Sequence, residues 1–355
     1  MRAMTAPTEN PQDVYKTCIE SIADNDLRNR LTALNHVINK AAGTYQFKGK
    51  AKKLYTLPPN NCKNNDVFLG KVTKKELKDV YSTHMVGRTK PARNIYDKLL
   101  SQAPLGRCPF CGMGYASTLD HYLPKSQYPE LSVMPLNLVP SCKDCNTGKS
   151  TAVASTEEAQ ILHPYFDHGI FISEQWLFAE VVSTSLETTR YFVKAPKDWD
   201  DISKNRVLTH FDSFKLADRY SIEAVNELAS RKKFLNEFKK KNGCKALIDL
   251  LRGEFNSRFQ IHKNSWQTAL YQALANLYNK TPCPICLEEN VICNETCPAC
   301  HGIGQISKSD YEEIIDTYQY LNCICGKENN KGCSYCTGTG LMRLEEAQKI
   351  NERRP

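Results

Sequence analysis

Apolar residues recur at helical spacing in the first part of the chain. Between Val14 and about Lys40 they fall three or four positions apart, at Leu27, Leu31, Leu34, Val37 and Ile38. This spacing predicts one or two helices with one apolar side. Residues 1–10 lack it and are expected to be a frayed tail, and residues 41–66 are basic and predicted to be irregular. Two further helices are expected near Lys74–Met85 and Pro91–Gln102. The second opens with a proline, which suits the first turn of a helix.

The pattern changes twice in the second half of the chain. Residues 170–185 and 188–196 are rich in β-branched and aromatic side chains, which predicts a short hairpin or sheet. Helical spacing returns from about Ser203 and is clearest in residues 215–241 and 265–280. Residues 281–341 contain many cysteines and glycines but few apolar side chains, so we expect them to need bound metal in order to fold.

The bulk composition is that of a globular protein. Hydrophobic residues make up 41% of the 355 positions and charged residues 24%, which is enough apolar material for a core. No run of about 18 apolar residues predicts a membrane span. The first residues also lack a basic segment followed by an apolar one, the pattern of a secretory signal. A cytoplasmic protein with no membrane partner is therefore expected.

Cysteine spacing is the strongest compositional signal. Of the sixteen cysteines, twelve form close pairs, at positions 108/111, 142/145, 283/286, 297/300, 323/325 and 333/336. Two cysteines three residues apart on a turn suit a shared tetrahedral zinc ion better than a disulfide network. A secreted disulfide scaffold is disfavoured because the chain is long and shows no signal segment.

Net charge is less informative than its distribution. The formal charge is +8, but each zinc held by four thiolates carries −2, so three such sites would reduce it to about +2. Between Lys48 and Arg107 the chain has fourteen Lys or Arg against four Asp or Glu, an excess of ten. That excess is equally compatible with a polyanionic partner and with an ordinary solvated face.

Residues 108–150 carry the chemistry in two layers. The outer layer is two CxxC pairs, which one zinc ion would join: Cys108, Cys111, Cys142 and Cys145. The inner layer lies between and just after them: Asp120, His121, Asn137, Asn146 and Lys149. Phosphodiester hydrolysis needs a base, a cation for the developing oxyanion and a donor for the leaving group. An imidazole suits the first role at neutral pH, and a carboxylate with an amide oxygen suits Mg²⁺ or Mn²⁺.

The segment resembles HNH nucleases whose ββα-metal core is braced by a four-cysteine zinc. The resemblance implies that His121 is the general base, Asp120 and Asn146 bind the catalytic Mg²⁺ or Mn²⁺, and Asn137 braces the loop that carries the base. The motif is then H-N-N, and Lys149, one helical turn after Asn146, is placed to contact a phosphate. The alternative is a zinc ribbon with an incidental histidine between its knuckles.

The likeness extends beyond the core. Residues 120–140 and 161–167 resemble bacterial anti-phage defence proteins similar to the HNH subunit of Septu-type systems. This implies DNA as the nucleic-acid substrate, a role in antiviral defence and a regulatory partner protein such as an ATPase. His163 is then a candidate for substrate contact. The alternative is that His163 belongs to a strand and turn that pack against the core.

The final cysteine-rich stretch resembles a different family. Cys297–Gly304 and Cys333–Gly340 fit the CxxCxGxG repeat of the DnaJ-type cysteine-rich domain, which binds two zinc ions. The resemblance implies one site from Cys283, Cys286, Cys333 and Cys336, and another from Cys297, Cys300, Cys323 and Cys325. The 323/325 pair is a CxC, and the 283/286 pair lacks the trailing glycines. The stretch is either a structural clip or a docking or nucleic-acid-binding module.

Together these patterns predict an α+β protein, mainly helical around a ββα-metal HNH core. Four regions are expected: a helical basic region at 1–105, the nuclease core with a short β extension at 106–200, a helical region at 201–280, and a cysteine-rich zinc domain at 281–345. The expected function is a metal-dependent HNH endonuclease that also contains about three zinc ions per chain. The alternative is a non-catalytic zinc scaffold that binds nucleic acid or a partner protein.

Overall fold

A computed structural model of the chain describes residues 1–149, 153–181 and 189–278, with four short strands beyond them. The helices are α1 (Pro11–Glu20), α2 (Asn25–Thr32), α3 (Asn35–Lys50), α4 (Lys74–Asp79), α5 (Arg93–Ser101), α6 (Lys143–Gly148), α7 (Ile170–Ser173), α8 (Asp201–Ser213), α9 (Leu216–Ile261) and α10 (Trp266–Tyr278). The strands are β1 (Val67–Leu69), β2 (Val72–Thr73), β3 (Thr118–His121), β4 (Leu138–Ser141), β5 (Leu177–Val181), β6 (Thr189–Val193), β7 (Thr281–Pro282), β8 (Gln305–Ile306), β9 (Tyr320–Asn322) and β10 (Leu341–Arg343). The strands form two-stranded sheets, so the expected α+β class is confirmed.

The first ten residues are packed, and the expectation of a frayed tail is wrong. The side chains of Met1 and Met4 are buried. The backbone N–H of Arg2 donates to the carbonyl of Pro109 at 2.7 Å, and that of Met4 to the carbonyl of Pro164 at 2.9 Å. Two apolar side chains and two paired backbone groups offset the entropy of ordering the segment.

Helix α3 extends ten residues into the stretch that was expected to be irregular. Ile38, Ala42, Tyr45 and Gly49 repeat at helical spacing, and all four are buried. A Cβ at Gly49 would overlap the ring of Phe166, so glycine is required where the helix meets that ring. Lysines between these positions make the segment basic, so its apolar spacing does not stand out in the sequence.

The helices expected near Lys74–Met85 and Pro91–Gln102 are confirmed. Helix α4 begins at a capping box in which Thr73 and Glu76 bond to each other's backbone N–H groups. It continues as a π-helical turn, Val80–Met85, before α5 follows. The π-helical form is rare and is often found at functional sites.

One hydrophobic core joins the N-terminal helices to the segment that carries the motif. Its buried members include Tyr15 and Leu31 from the first two helices, together with Leu119 and Leu138 from β3 and β4. By contacts the chain divides into two units: residues 1–179, 191–223 and 256–269, and residues 180–190, 224–255 and 270–355. The finer division into four regions stays a prediction.

The later elements follow their sequence patterns. Strands β5 and β6 pair with each other in the stretch where a hairpin was expected. Helix α9 is two helices that meet at Gly243, whose φ of 85° is unfavourable for other residues. The Nη1 of Arg231 lies 3.4 Å from the Oε1 of Glu254, so the two halves of α9 are antiparallel. Within the described part of the chain, no helix is both long and apolar enough to cross a bilayer.

Candidate functional site

Four cysteines form a closed cluster with the geometry of a zinc site. The sulfur atoms of Cys108, Cys111, Cys142 and Cys145 all lie within 4.8 Å of one another, and all four residues are buried. The Sγ atoms of Cys111 and Cys142 are 3.8 Å apart, too far for a disulfide. Four thiolates placed tetrahedrally at about 2.3 Å from zinc lie about 3.8 Å apart. The cluster could therefore hold a zinc ion, which makes the first of the predicted zinc sites geometrically sound.

The backbone near the cysteines passes close to the sulfur atoms and donates hydrogen bonds to two of them. Gly114 has no room for a side chain, because a Cβ there would lie 2.7 Å from the Cβ of Cys142. Its N–H donates to the Sγ of Cys111 at 3.5 Å. At the start of α6 the N–H of Cys145 donates to the Sγ of Cys142 at 3.4 Å. These N–H donors stabilise thiolate charge on Cys111 and Cys142 and fix the direction of both sulfurs.

The thiols influence one another's ionisation. Hydrogen bonding with Cys108 lowers the pKa of the Cys142 thiol to about 7. Hydrogen bonds with Cys108 and then Cys142 hold the pKa of Cys111 far below that of a free thiol. Hydrogen bonds within the cluster raise the pKa of the Cys108 and Cys145 thiols instead, so these two lose their protons only when a cation binds.

An arginine covers the cluster, and the sequence pattern did not identify it. The Nη1 of Arg219 lies 3.3 Å from the Sγ of Cys145, and its Nη2 lies 3.8 Å from those of Cys111 and Cys142. Four thiolates around one zinc carry a net −2, and the guanidinium offsets part of that charge. Arg219 stands 74 residues after Cys145 and belongs to α9, so no local motif points to it.

Between the cysteine pairs, two strands and a helix carry the inner layer of the motif. Strands β3 and β4 are antiparallel, with Asp120 opposite Val139 and His121 opposite Leu138. Helix α6 packs against β3 and begins at the second cysteine pair. A cavity of about 270 Å³ opens beside these elements, and Asp120, His121, Asn146 and Lys149 all line it.

His121 is held in one tautomer by the backbone. Its Nε2 lies 2.8 Å from the carbonyl oxygen of Ser132, which can only accept, so Nε2 carries the proton. Nδ1 is then the nitrogen with the free lone pair. The ring of Tyr81 meets the imidazole edge-on, with centroids 4.4 Å apart. Burial lowers the pKa of His121 to about 3, so the imidazole is neutral, and the same burial disfavours its protonated form.

Asp120 and Asn146 provide oxygen ligands at the same cavity. The side-chain NH₂ of Asn146 donates to the Oγ1 of Thr118 at 3.0 Å, which leaves its Oδ1 for a cation. Burial raises the pKa of Asp120, while the neighbouring charge of Lys149 acts in the opposite direction. A carboxylate and an amide oxygen fit a hard divalent cation such as Mg²⁺.

All three N–H donors of the Lys149 ammonium have acceptors within the protein. Its Nζ donates to the carbonyl oxygens of His121 at 2.8 Å and Tyr122 at 2.6 Å, and it lies 3.4 Å from the Oδ2 of Asp120. An ammonium has three N–H donors, and each of these has an acceptor. The predicted phosphate contact of Lys149 therefore has no free donor in this arrangement, although the residue does line the cavity.

Asn137 braces the loop between β3 and β4. Its side chain is completely buried. Its Oδ1 accepts from the N–H of Leu123 at 2.8 Å, and its Nδ2 donates to the carbonyls of Leu123 and Leu131 at 3.0 and 3.2 Å. These three bonds link both ends of the loop, which includes the Ser132 carbonyl that orients His121. Asn137 does not line the cavity, so its contribution is to position other groups.

Two lysines that sequence reasoning gave no chemistry also line the cavity. They are Lys78, at the end of α4, and Lys125, four residues after His121. Lys125 donates to the Oγ of Ser82 at 2.7 Å, and its Nζ lies 4.7 Å from the centre of the Tyr81 ring. The basic run before the motif was the only sequence signal for Lys78.

His163 lies away from the cavity. It is buried, its Nδ1 accepts from the N–H of Tyr165 at 3.1 Å, and its Nε2 donates to the hydroxyl of Tyr45 at 3.1 Å. The neighbouring Asp167 is equally buried and forms a two-pronged ion pair with Arg206. The structure therefore favours the packing interpretation of His163 and does not bring it to the other predicted site residues.

The second cysteine field lies outside the described residues. The predicted zinc ligands Cys283, Cys286, Cys333 and Cys336, and likewise Cys297, Cys300, Cys323 and Cys325, are among the positions that the structure does not describe. Their two zinc sites and their pairing stay predictions.

Comparison with known proteins relates the chain to a phage protein. No protein-family model matches the chain. No solved structure matches it either. Protein ea31 of Escherichia phage lambda is 32% identical over 289 residues, a match that spans 78% of this chain and 97% of the relative. The similarity extends over almost the whole of that protein, and the chain described here belongs to the ea31 family.

Proposed function

We propose that this protein is a metal-dependent endonuclease of the HNH type that hydrolyses phosphodiester bonds in DNA. The observation that carries the proposal is the state of His121. Its Nε2 proton is bound to the Ser132 carbonyl, its Nδ1 keeps a lone pair, and the ring lines a cavity shared with Asp120 and Asn146. A neutral, oriented imidazole beside two oxygen ligands is the arrangement that this hydrolysis requires.

Each group has one task in the proposed reaction. Water attacks phosphorus while its proton passes to the Nδ1 of His121; the bond from phosphorus to the leaving oxygen breaks, and that oxygen takes a proton from solvent. Asp120 and the Oδ1 of Asn146 would hold a Mg²⁺ or Mn²⁺ ion, which supplies positive charge for the developing oxyanion. His121 can return its proton to solvent after each turnover, since burial disfavours the charged imidazole.

The remaining side chains keep these groups in place. Tyr81 packs against one side of the imidazole and donates its hydroxyl to the carbonyl of Leu119 at 3.0 Å. Lys149 ties the backbone after β3 to the end of α6 through the His121 and Tyr122 carbonyls. Removing a general base of this kind costs about 10²–10⁴-fold in rate, and misplacing it costs part of that.

The four-cysteine cluster would serve as a structural staple for this site. Cys108 and Cys111 precede β3, while Cys142 and Cys145 follow β4 and begin α6. One zinc ion would fix both ends of the segment that carries His121. No cysteine of the cluster lines the catalytic cavity, so zinc there is separate from the reaction.

A non-catalytic zinc scaffold that binds nucleic acid or a protein is the second candidate. The closed sulfur cluster with Arg219 over it supports this candidate as well, because a structural zinc site is equally useful in a protein that only binds. The two functions differ in what happens to a nucleic acid. A scaffold would bind it and leave it intact.

A plasmid cleavage assay separates the two candidates. Purified protein with bound zinc is incubated with supercoiled plasmid, with and without added Mg²⁺ or Mn²⁺, and conversion to nicked and linear forms is followed. The proposal predicts conversion that depends on the added ion. Binding of plasmid without any conversion, under all metal conditions, would support the scaffold.

The wider role rests on resemblance. The Septu-like pattern around Asp120–Pro140 supports a part in antiviral defence with a regulatory partner such as an ATPase. The relative, protein ea31, comes from a phage. Co-purification of the full chain from cells, followed by the cleavage assay with and without any bound protein, tests the proposed regulation.

A further inference from the structure

Lys78, near the end of α4, lines the catalytic cavity, and two side chains of the π-helical turn contact Lys125, a second residue of the lining. Lys78, Tyr81 and Ser82 stand at positions i, i+3 and i+4, which lie on one side of a helix. The Oγ of Ser82 accepts a hydrogen bond from the Nζ of Lys125 at 2.7 Å, and the centre of the Tyr81 ring lies 4.7 Å from the same ammonium. The N-terminal region therefore supplies part of the cavity wall and positions a lysine there.

Two ammonium groups at this wall retain donors for an anion. Lys125 gives one N–H to Ser82, and Lys78 gives one to the side chain of Asn64 at 3.0 Å. Each ammonium has three N–H donors, so two remain on each. Within the described residues, neither lysine forms an ion pair. Asp79, the acid whose charge acts on Lys125, is paired with Lys75 at 2.6 Å.

The charges around the cavity are unbalanced. Its lining contains three lysines and one carboxylate, Asp120, and that carboxylate already contacts Lys149. Both lysines line the same cavity, and burial, followed by the charge of Lys78, lowers the pKa of Lys125, as expected for neighbouring ammonium groups. An anion bound between them would remove that repulsion.

We propose that Lys78 and Lys125 form a phosphate subsite that binds a backbone phosphate of the nucleic acid at the cavity. The inference rests on the proposed nuclease function for the identity of the ligand. It assigns to these two lysines the phosphate contact that the motif alone would give to Lys149, whose donors are already occupied. The half-buried stem of Lys125 on Tyr81 reduces the entropy lost when the ammonium binds phosphate.

DNA binding without cleavage tests the subsite. The background is the His121→Ala protein with no added divalent ion, and the probe is a fluorescent 20-base-pair duplex followed by anisotropy from 50 to 200 mM salt. The double variant Lys78→Ala/Lys125→Ala should bind at least about tenfold more weakly at 50 mM salt, and its salt slope should fall by about 2. Lys125→Arg should retain most of the affinity because the charge remains.

A matched pair of surface lysines provides the control. Lys16 and Lys40 are exposed and do not line the cavity, so Lys16→Ala/Lys40→Ala removes the same charge elsewhere. That variant should change affinity less than twofold with an unchanged slope. Equal losses in both double variants would reduce the effect to net charge and overturn the subsite. Unchanged binding by Lys78→Ala/Lys125→Ala, with its melting temperature preserved, would overturn it directly.

Competition by inorganic phosphate identifies the ligand. If the lysines bind free phosphate but not the duplex, phosphate does not compete with duplex for the wild type and the double variant binds duplex normally, and the nucleic-acid inference fails. Failure of the subsite and failure of the proposed function give different results. Wild type that never cleaves, with duplex binding that still depends on the two lysines, would refute the nuclease and leave the subsite intact.

Discussion

The brace at Asn137 allows a sharp prediction, because one atom of its side chain can be changed without changing its shape. Asn137→Asp replaces the NH₂ that donates to the carbonyls of Leu123 and Leu131 by an oxygen. As a carboxylate, the new side chain places an acceptor against two acceptors in a buried site. As a neutral acid it keeps one donor and restores one of the two bonds.

The magnitude follows from the bonds involved. A buried bond is worth about 1 kcal/mol net, and a buried polar group left unpaired costs about 1–3 kcal/mol. We expect Asn137→Asp to lower the free energy of unfolding by about 2 kcal/mol at pH 4 and by about 4 kcal/mol at pH 8. Burial and the two carbonyls raise the folded-state pKa of the new acid above its unfolded value. Its neutral form is therefore favoured at low pH, and stability is lost as the pH rises.

Urea unfolding at pH 4, 6 and 8 measures this dependence, with tryptophan fluorescence as the signal. The three tryptophans are all buried and report on the fold: Trp176, Trp199 and Trp266. Asn29→Asp, at an exposed position of α2, is the matched control and should show no comparable trend. A deficit below about 1 kcal/mol at pH 8, or one equal at pH 4 and pH 8, would refute the proposed brace.

Three other substitutions test separate parts of the account. Gly114→Ala should release one zinc ion and lower the melting temperature, because a Cβ there would lie 2.7 Å from the Cβ of Cys142. Elemental analysis should find about three zinc ions per chain in the wild type. An unchanged zinc content in the variant would contradict the packing argument. Asp120→Ala should shift cleavage to higher Mg²⁺ or toward Mn²⁺, since it removes one of few protein ligands; a metal titration identical to wild type would place the ion elsewhere. Glu76→Gln should lose about 1 kcal/mol of stability at neutral pH, after allowance for solvent screening. Its hydrogen bond with Arg30 lowers the pKa of Glu76 to about 2, so the wild-type contribution is present above the unfolded pKa and disappears as the pH falls toward 2; a difference that stays constant down to pH 2 would argue against this pair.

The sequence predicts the features of the site that depend on short spacing. Both CxxC pairs lie on turns whose hydrogen bonds run within three residues, so their pattern alone indicates a metal cluster. The order of Asp120, His121 and Asn146 places them on β3 and α6, which pack together. The helices near Lys74–Met85 and Pro91–Gln102 were also predicted, but the π-helical form of Val80–Met85 was not.

The features of the site that the sequence did not predict depend on contacts between distant parts of the chain. Arg219 reaches the cysteine cluster from α9, and Lys78 reaches the cavity from α4, and neither stands in a motif. The phosphate role suggested for Lys149 omitted the backbone carbonyls that occupy it. His163 was a candidate because residues 161–167 resemble the defence proteins, whereas its hydrogen bond with Tyr45, 118 residues away, explains its position.

The central claim is that His121 is the base of a metal-dependent nuclease. The most direct test compares initial rates of plasmid cleavage at saturating Mg²⁺ for wild type, His121→Ala and His36→Ala, in which an exposed histidine outside the cavity is removed. We predict a loss of about 10²–10⁴-fold for His121→Ala, with zinc content and duplex binding unchanged, and a wild-type rate for His36→Ala. Cleavage by His121→Ala within a few-fold of wild type, or no metal-dependent cleavage by the wild type, would contradict the claim.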